Sequence, residues 1–255
     1  MDEAATPSLL SALQAGAADL GLSLDAGQLQ QLLAYQALIA KWNQVYNLTA
    51  VRDPQEMLTH HLLDSLAAIA PLLRQLDGPR SGGAWGQQIQ APGRPKLESA
   101  PPGGSDPRSG GAWGPRLLDV GSGGGLPGVV IAITCPQITV HCVDTVAKKA
   151  TFIQQVAAML KLPNLRGIHA RVESLRAEEG AGYDVVCSRA FASLADFTAW
   201  SRAALNPGGM WMAMKGRYPA DEVAALPTDV SVFHVEQLAV PGLGAERCIV
   251  WMRGV

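Results

Sequence analysis

Residues 8–75 repeat apolar positions at the three- and four-residue spacing of amphipathic helices. Ser8 can cap a first helix, and Gly21 follows that helix as a stop signal. Asp25 and Gln28 have the spacing of a capping box and precede the apolar face of a second helix. Two helices are therefore expected, and we place the polar segment 41–50 between the second helix and a third.

The third helix has the sharpest start signal in the chain. Asp53 can act as the cap, Pro54 occupies the first helical position and Glu56 the third. Apolar residues at helical spacing continue this helix towards Pro71. Three helices of this kind predict a helical region over residues 1–76, which we expect to form a small cap or lid before the next domain.

From residue 116 onward, apolar strand-like runs alternate with helical segments. This alternation is typical of a parallel sheet that is covered on both faces, and it predicts an α/β domain over residues 116–255. The last two strands have no clear helix between them, so we expect the sheet to end in an antiparallel hairpin. The predicted strands lie at 116–120, 138–143, 166–170, 183–188, 209–215, 231–238 and 247–253, and the predicted helices at 127–134, 146–161, 172–178 and 193–204.

Residues 77–115 separate these two regions and differ from both. The segment is rich in Gly, Pro, Ser and Gln, and residues 79–86 recur without change as residues 107–114. Such a composition cannot bury enough apolar surface to offset the entropy of ordering, so we expect a mobile, inserted linker. Contact between its Arg and Trp side chains and RNA is the alternative.

The most distinctive stretch is a short apolar strand that meets a glycine-rich turn and then the start of a helix. Gly121, Gly123 and Gly125 give G-x-G-x-G, and Leu126 stands where a dinucleotide fingerprint would have its third glycine. With Asp119 before the turn, the pattern resembles the first motif of class I S-adenosylmethionine-dependent methyltransferases. A carboxylate at this place would favour the ammonium group of that cofactor. A turn that merely connects strand to helix is the alternative.

Composition and charge exclude several classes of protein. The 255-residue chain has a net charge of −2, so it is not a basic nucleic-acid coat, although a local basic face is compatible with this total. Its four cysteines form no C-x-x-C pair, and we expect buried thiols rather than a zinc site or disulfides. The acidic start lacks a signal-peptide pattern, and no apolar run approaches the ~18 residues of a membrane span. We expect a soluble, intracellular protein.

Polar residues at the predicted strand ends are the candidates for chemistry, because ligands bind there in open α/β sheets. Asp144 ends the second strand and can accept both hydroxyls of a ribose; it can also cap the following helix, and the two roles can coexist. Val172 and Glu173 follow the third strand and are placed to flank an adenine. Arg189 closes the fourth strand, where class I methyltransferases meet their substrate.

His60, His61 and Asp64 form a second polar group, within about one turn of the third predicted helix. A metal site would need more ligands than this helix supplies. We therefore favour a hydrogen-bonded polar patch where the helix meets the next domain, and we predict no metal site.

Several separate motifs, in one order, resemble the RsmG family, which is also called GidB. The resemblance covers essentially everything except the first few residues and the segment 77–115, where the insertion departs from the short connection that the family has. The motifs are K-W-N…N-L-T at 41–49, H-H-L-L-D-S-L at 60–66, D-V-G-S-G-G-G-L-P-G at 119–128, V-D-T…K-K at 143–149, R-V-E at 171–173, S-R-A-F-A-S-L at 188–194 and M-K-G at 214–216.

The resemblance implies a class I methyltransferase fold, Rossmann-like with a seven-stranded sheet, and an N-terminal helical extension. It implies S-adenosylmethionine as the cofactor and N7 of guanine 527, in the 530 loop of bacterial 16S ribosomal RNA, as the methyl acceptor. The partner would be this RNA in the 30S subunit or in an assembly intermediate, met by a cytoplasmic monomer without membrane contact. The alternative is a protein that binds cofactor and RNA without catalysing transfer; an NAD-dependent dehydrogenase is disfavoured by the missing glycine.

The resemblance also implies roles for individual residues. Asp144 would hold the ribose, and Arg189 would position the RNA where it meets the cofactor. The expected cofactor-binding residues are Asp119, Gly121, Gly123, Gly125, Leu126, Asp144, Val172, Glu173 and Arg189. The residues expected on an RNA-facing rim are Lys148, Lys149, Arg171, Lys215, Arg217 and Arg247, each with a solvated surface charge as the alternative.

The mechanism that this acceptor implies needs no general base. N7 of guanine carries a lone pair and no proton, and no His or acid pair stands out at the end of the fourth strand. Catalysis is expected from in-line alignment and exclusion of water, with Arg189 positioning a phosphate or a base edge.

Overall fold

The computed structural model describes residues 8–77, 114–177 and 182–255. The predicted linker at 77–115 therefore lies outside the described residues, except for its two ends. Within the described ranges, no helix is both long enough and apolar enough to cross a membrane.

Two capped helices begin the described chain, α1 (Leu9–Asp19) and α2 (Ala26–Tyr46). The capping box predicted for α2 is confirmed, because the Asp25 carboxylate accepts from the Gln28 N–H at 2.8 Å while the Gln28 side chain accepts from the Asp25 N–H at 3.0 Å. Placing 41–50 between helices was wrong: α2 continues to Tyr46 and ends where Asn47 adopts a left-handed conformation with φ 47°.

The third predicted helix is divided into several segments. They are α3 (Pro54–Met57), a π-helical segment (Leu58–Leu63), α4 (Asp64–Leu66) and α5 (Ile69–Leu76). The Asp53 cap is confirmed by bonds from the N–H groups of Gln55 and Glu56 at 2.9 and 3.0 Å. The helix was predicted to run only towards Pro71, but α5 contains this proline in its first turn, where a missing N–H removes no intrahelical bond.

The rest of the chain forms one seven-stranded sheet in the order β3-β2-β1-β4-β5-β7-β6. Strands β1 to β5 are parallel, and β7 is antiparallel to both β5 and β6, which confirms the reversed last strand. The strands are β1 (Arg116–Val120), β2 (Thr139–Asp144), β3 (Leu165–His169), β4 (Tyr183–Ser188), β5 (Leu205–Lys215), β6 (Val230–Leu238) and β7 (Arg247–Gly254). The helices are α6 (Gly128–Thr134), α7 (Ala147–Met159), α8 (Leu194–Ser201) and α9 (Ala220–Ala224).

Two differences from the predicted elements have simple physical reasons. In place of a helix over 172–178, the described part of that range has a 3₁₀ turn at Val172–Ser174, too short to need an apolar face. Helix α9 was missed because it has five residues and none of them is buried, so it leaves no periodic signal.

The N-terminal helices and one face of the sheet share a continuous apolar core. Leu13 and Leu62 belong to the same buried cluster as Leu117, Met212 and Trp251 from three strands. The opposite face has its own cluster, which includes Leu118, Trp211 and Val250. The shared core fixes α2 and the π-helical segment against the sheet, so their polar side chains can reach the strand ends.

Candidate active site

The turn after β1 presents almost bare backbone at the carboxyl edge of the parallel strands. Gly121, Gly123 and Gly125 have φ values of 65°, 57° and 91°, a region that residues with a Cβ rarely adopt. The Gly121 N–H bonds to the Val143 carbonyl at 2.9 Å, and the Gly125 N–H to the Ser122 carbonyl at 2.7 Å. The turn is therefore rigid, and a ligand can approach its main chain closely.

Neighbouring side chains leave no space for larger residues at this turn. A Cβ on Gly125 would lie 2.5 Å from Ile153 and Val129, and one on Gly121 would lie 2.7 Å from the Phe191 ring. The Tyr35 hydroxyl donates to the Gly124 carbonyl at 2.5 Å.

Sequence reasoning missed Tyr35 and Phe191 as parts of this site. Tyr35 is fully buried within the apolar stripe of α2, three residues after Leu32. A hydroxyl group in such a stripe needs a hydrogen-bond partner, and this requirement was the available signal. Phe191 stood within the motif at 188–194, but no role was assigned to it, because only the fold brings its loop over Gly121.

Asp119 is completely buried beneath the turn. Its Oδ2 accepts from the Gly128 N–H at 2.9 Å, which ties β1 to the start of α6, and its Oδ1 has no hydrogen-bond partner among the described residues. Burial raises the pKa of this carboxyl group from 3.8 to about 7. The predicted contact with a cofactor ammonium group stays a prediction.

Asp144 ends β2 directly beside the glycine turn. Its Oδ2 accepts from the Gly123 N–H at 3.1 Å, and its Oδ1 accepts from the Val146 N–H at 2.8 Å, just before α7. Lys149 lies 3.6 Å from Oδ2. The cap of α7 is Val146, without a side-chain cap bond, so the predicted cap role of Asp144 was wrong: the cap lies two residues later than the sequence indicated. Each carboxylate oxygen of Asp144 keeps a second lone pair for a ribose contact.

The predicted adenine end lies beyond β3. Val172 is buried and Glu173 is exposed, both in the 3₁₀ turn. The Ala170 N–H bonds to the Asp144 carbonyl at 3.2 Å, which links this loop to the end of β2. Leu126, at the far end of the glycine turn, is buried.

Arg189 follows β4 and lies against the N-terminal helices. Its Nη1 donates to the His60 carbonyl at 3.0 Å and to Asp64 Oδ2 at 3.2 Å. The same carboxylate accepts from Nε of Arg247 at 2.8 Å. The patch expected around His60 and Asp64 is thus a hydrogen-bonded contact with the sheet, and its partners are two of the predicted site residues.

His61, in the same patch, bonds to a residue of the loop after α2. Its Nε2 is 2.8 Å from the Thr49 hydroxyl, and burial lowers the pKa of the imidazole below 6.5. Within the described ranges, no three His, Cys, Asp or Glu side chains are grouped so that they could hold a metal ion.

The predicted RNA-facing cations have unequal surroundings. Lys215 donates to both oxygens of Glu222 at 3.0 and 2.8 Å, a pair that the sequence did not indicate. Lys148 lies 5.1 Å from the ring centre of Tyr46, an exposed aromatic on α2. Arg171 and Arg217 have exposed side chains.

These contacts can bind a nucleoside next to a bare main chain and can present a guanidinium beside it. Comparison with known proteins identifies the family. The model of the GidB family, described as rRNA small subunit methyltransferase G, matches residues 28–77 and 111–250. The chain belongs to this family.

Curated relatives agree over nearly the whole length. A ribosomal RNA small subunit methyltransferase G from Acidovorax ebreus is 59% identical over 255 residues, covering 100% of both chains. A protein of the same name from Albidiferax ferrireducens is 62% identical over 245 residues, covering 96% of this chain and 97% of its own.

Membership in the GidB family confirms the class I methyltransferase fold and its cofactor, S-adenosylmethionine. The site fits this cofactor, because a turn without side chains at its glycines adjoins a carboxylate that can receive ribose hydroxyls. The two matched ranges flank residues 78–110, where the sequence indicated an insertion.

Proposed function

We propose that this GidB-family enzyme transfers a methyl group from S-adenosylmethionine to N7 of guanine 527 in the 530 loop of 16S ribosomal RNA. The observation that carries the proposal is the placement of Arg189 directly after β4, which pairs with β1 and so ends next to the strand that carries the glycine turn. Asp64 holds Arg189 there while 24% of the arginine side chain stays exposed. The relatives named above share the family and nearly the full length of the chain.

The chain's residues can support this reaction without moving a proton. When bound, S-adenosylmethionine supplies an electrophilic methyl group. Asp144 would hold its nucleoside end, and the turn from Gly121 to Gly125 would let its methionine end approach bare backbone. The acceptor N7 has a lone pair and no proton, so no side chain has to act as a base. Asp119 is fully buried and cannot serve as one in this arrangement.

The remaining task is alignment of the guanine, which we assign to Arg189. Guanidinium groups bind phosphates and base oxygens through several parallel donors, so one arginine can fix the orientation of a nucleotide. Phe191 lies over Gly121 and packs edge-on against Trp200 at a ring-centre distance of 5.7 Å. This aromatic group can exclude water from the transfer site.

The charge of the chain favours a structured particle over free RNA as substrate. The net charge of −2 gives little non-specific attraction to phosphates, so shape must contribute to recognition. A 30S subunit or an assembly intermediate in the bacterial cytoplasm offers that shape. We propose that a monomer acts.

The test is transfer of a radiolabelled methyl group from S-adenosylmethionine to 30S subunits that lack the modification, followed by mapping of the labelled base. Label at N7 of the proposed guanine supports the function, and label at another base contradicts the assignment. Binding of S-adenosylhomocysteine without any labelled RNA would favour the non-catalytic alternative. Fluorescence from bound NADH would favour a dehydrogenase.

A further inference from the structure

A buried carboxylate joins the N-terminal helices to two ends of the sheet. Asp64 is 2% exposed, and its two oxygens accept from different arginines, Arg189 after β4 and Arg247 at the start of β7. Strand β5 lies between β4 and β7 in the sheet. Asp64 therefore ties together two strand ends that share no backbone hydrogen bonds.

The backbone beside Asp64 takes part in the same contact. The π-helical segment ends immediately before Asp64, and within it the His60 carbonyl accepts from the same Nη1 of Arg189 that Asp64 binds. π-Helical turns are rare, and they are found frequently at functional sites. A carbonyl and a carboxylate thus hold one nitrogen of Arg189 from two sides, which restricts the rotation of the guanidinium.

The charges in this cluster do not balance. One carboxylate faces two guanidinium groups, which leaves one excess positive charge. Each arginine side chain is 24% exposed, whereas the Asp64 side chain is 3% exposed. Among the described residues, the hydrogen bonds of Arg189 involve Nη1 alone, so its Nη2 and Nε can meet a ligand. The outward side of the cluster is therefore suited to an anion such as an RNA phosphate.

We propose that Asp64 is a positioning residue for methyl transfer, which it serves by holding Arg189 before the RNA arrives. The inference rests on the proposed function, because the role of Arg189 is part of that function. Asp64 does not touch the reacting atoms. An arginine that is already ordered loses less conformational entropy when RNA binds, and its open donors meet the nucleotide in one orientation.

Asp64→Asn tests this role, since asparagine keeps the size of the side chain and removes its charge. At saturating RNA and cofactor, we expect kcat to fall about 10²-fold, the scale of a small misplacement at a reacting centre. The affinity for S-adenosylhomocysteine should stay within about threefold of the parent value, because no cofactor contact is removed. In an Arg189→Met background, Asp64→Asn should lower kcat no further, because a residue that acts through Arg189 has nothing left to position.

Asp184→Asn is the matched control. The Asp184 carboxylate accepts from the Arg116 N–H at 2.8 Å and from Asn206 Nδ2 at 3.0 Å, at the opposite end of the sheet. This variant should lower the melting temperature and keep the parent kcat. If two facing guanidinium groups prevent Asp64→Asn from folding, the double variant Asp64→Asn/Arg247→Met removes one of them, and its kcat is compared with that of Arg247→Met.

The outcomes separate this role from the proposed function. A parent chain that methylates subunits, together with an Asp64→Asn variant of equal kcat, overturns the role of Asp64 alone. The role is also overturned if the affinity for S-adenosylhomocysteine falls as far as kcat, or if the Asp64→Asn/Arg189→Met double variant loses kcat by the product of the two single effects. A parent chain that transfers no methyl group overturns the proposed function and this role with it.

Discussion

The amino and carboxyl ends of the parallel strands hold similar polar side chains, but the two ends differ in how many of these groups have hydrogen-bond partners. At the amino end, Asp184 accepts from the Arg116 N–H and from Asn206, and His141 Nδ1 lies 2.7 Å from the Tyr183 hydroxyl. The Arg116 guanidinium lies 5.0 Å from the Tyr183 ring centre. Burial lowers the pKa of His141 to about 4, so the imidazole is neutral near pH 7. These groups satisfy one another.

At the carboxyl end, several polar groups lack hydrogen-bond partners within the described part of the chain. Asp119 Oδ1 and Ser122 Oγ are buried without a hydrogen-bond partner in the described part of the chain. Arg189 keeps donors that no described residue accepts from. Because unsatisfied buried groups destabilise a fold, the contrast indicates that the amino end serves stability and that the carboxyl end serves ligands.

The largest effect on kcat is expected from removing the partly exposed guanidinium group of Arg189. Arg189→Ala should lower kcat by about 10²- to 10³-fold, the range for loss of one preorganised donor, and should change the affinity for S-adenosylhomocysteine much less. Arg202→Ala removes a surface arginine that pairs with Asp229 at 2.9 Å and should keep the parent kcat. Single-turnover methylation of 30S subunits measures both. Equal rates for Arg189→Ala and the parent chain would refute the positioning role.

The next largest effect is expected on cofactor affinity, from a change at the proposed binding site of the cofactor's nucleoside. Asp144→Ala removes the acceptor of the Gly123 and Val146 N–H groups as well as the proposed ribose contact. Hydrogen bonds to a charged group contribute about 1.5–3 kcal/mol each, so the affinity for S-adenosylhomocysteine should fall about 10²-fold or more. Calorimetry checks this result, with Asp184→Ala as a variant that should bind normally. Unchanged affinity would show that Asp144 does not bind the cofactor.

A smaller effect should distinguish crowding from backbone strain at the glycine turn. Gly121 and Gly208 both have positive φ, at 65° and 79°, but only at Gly121 would a Cβ meet a side chain, the Phe191 ring at 2.7 Å. Gly208→Ala should therefore lose about 1 kcal/mol of unfolding free energy. Gly121→Ala should lose about 1–3 kcal/mol more and bind S-adenosylhomocysteine less tightly. Urea unfolding tests the difference; equal losses would show that Phe191 does not crowd the turn.

The last prediction concerns the pH dependence of stability, an effect that is small per pH unit. The pKa of Asp119 is raised from 3.8 to about 7, so in that interval the unfolded chain releases a proton that the folded chain retains. Stability is therefore lost as the pH rises through the interval, by at most about 1.4 kcal/mol per pH unit. Asp119→Asn should remove this contribution, and its unfolding free energy relative to the parent should increase from the acidic to the neutral side. A difference that stays constant with pH would contradict the buried, protonated carboxyl group.

Short-range patterns in the sequence were enough for much of the fold. The caps at Ser8, Asp25 and Asp53 depend on residues three positions apart or fewer, and all three are present. The glycine turn after β1 could also be placed, because positive φ at three positions leaves few other residue types. The end of α2 also had a local signal, because asparagine readily adopts the left-handed conformation that Asn47 has there. The division of the third helix could not be placed, since no local pattern marks a π-helical segment.

The sequence by itself determined the order of the seven strands, the glycine turn and Asp144 at the end of the second strand, because each depends on neighbours along the chain. Only the tertiary structure decided that Asp64 holds both Arg189 and Arg247, 125 and 183 residues away. It also decided that Tyr35 reaches Gly124, 89 residues on. Local propensity carries no information on such pairs; they form because one apolar core fixes the N-terminal helices against the sheet.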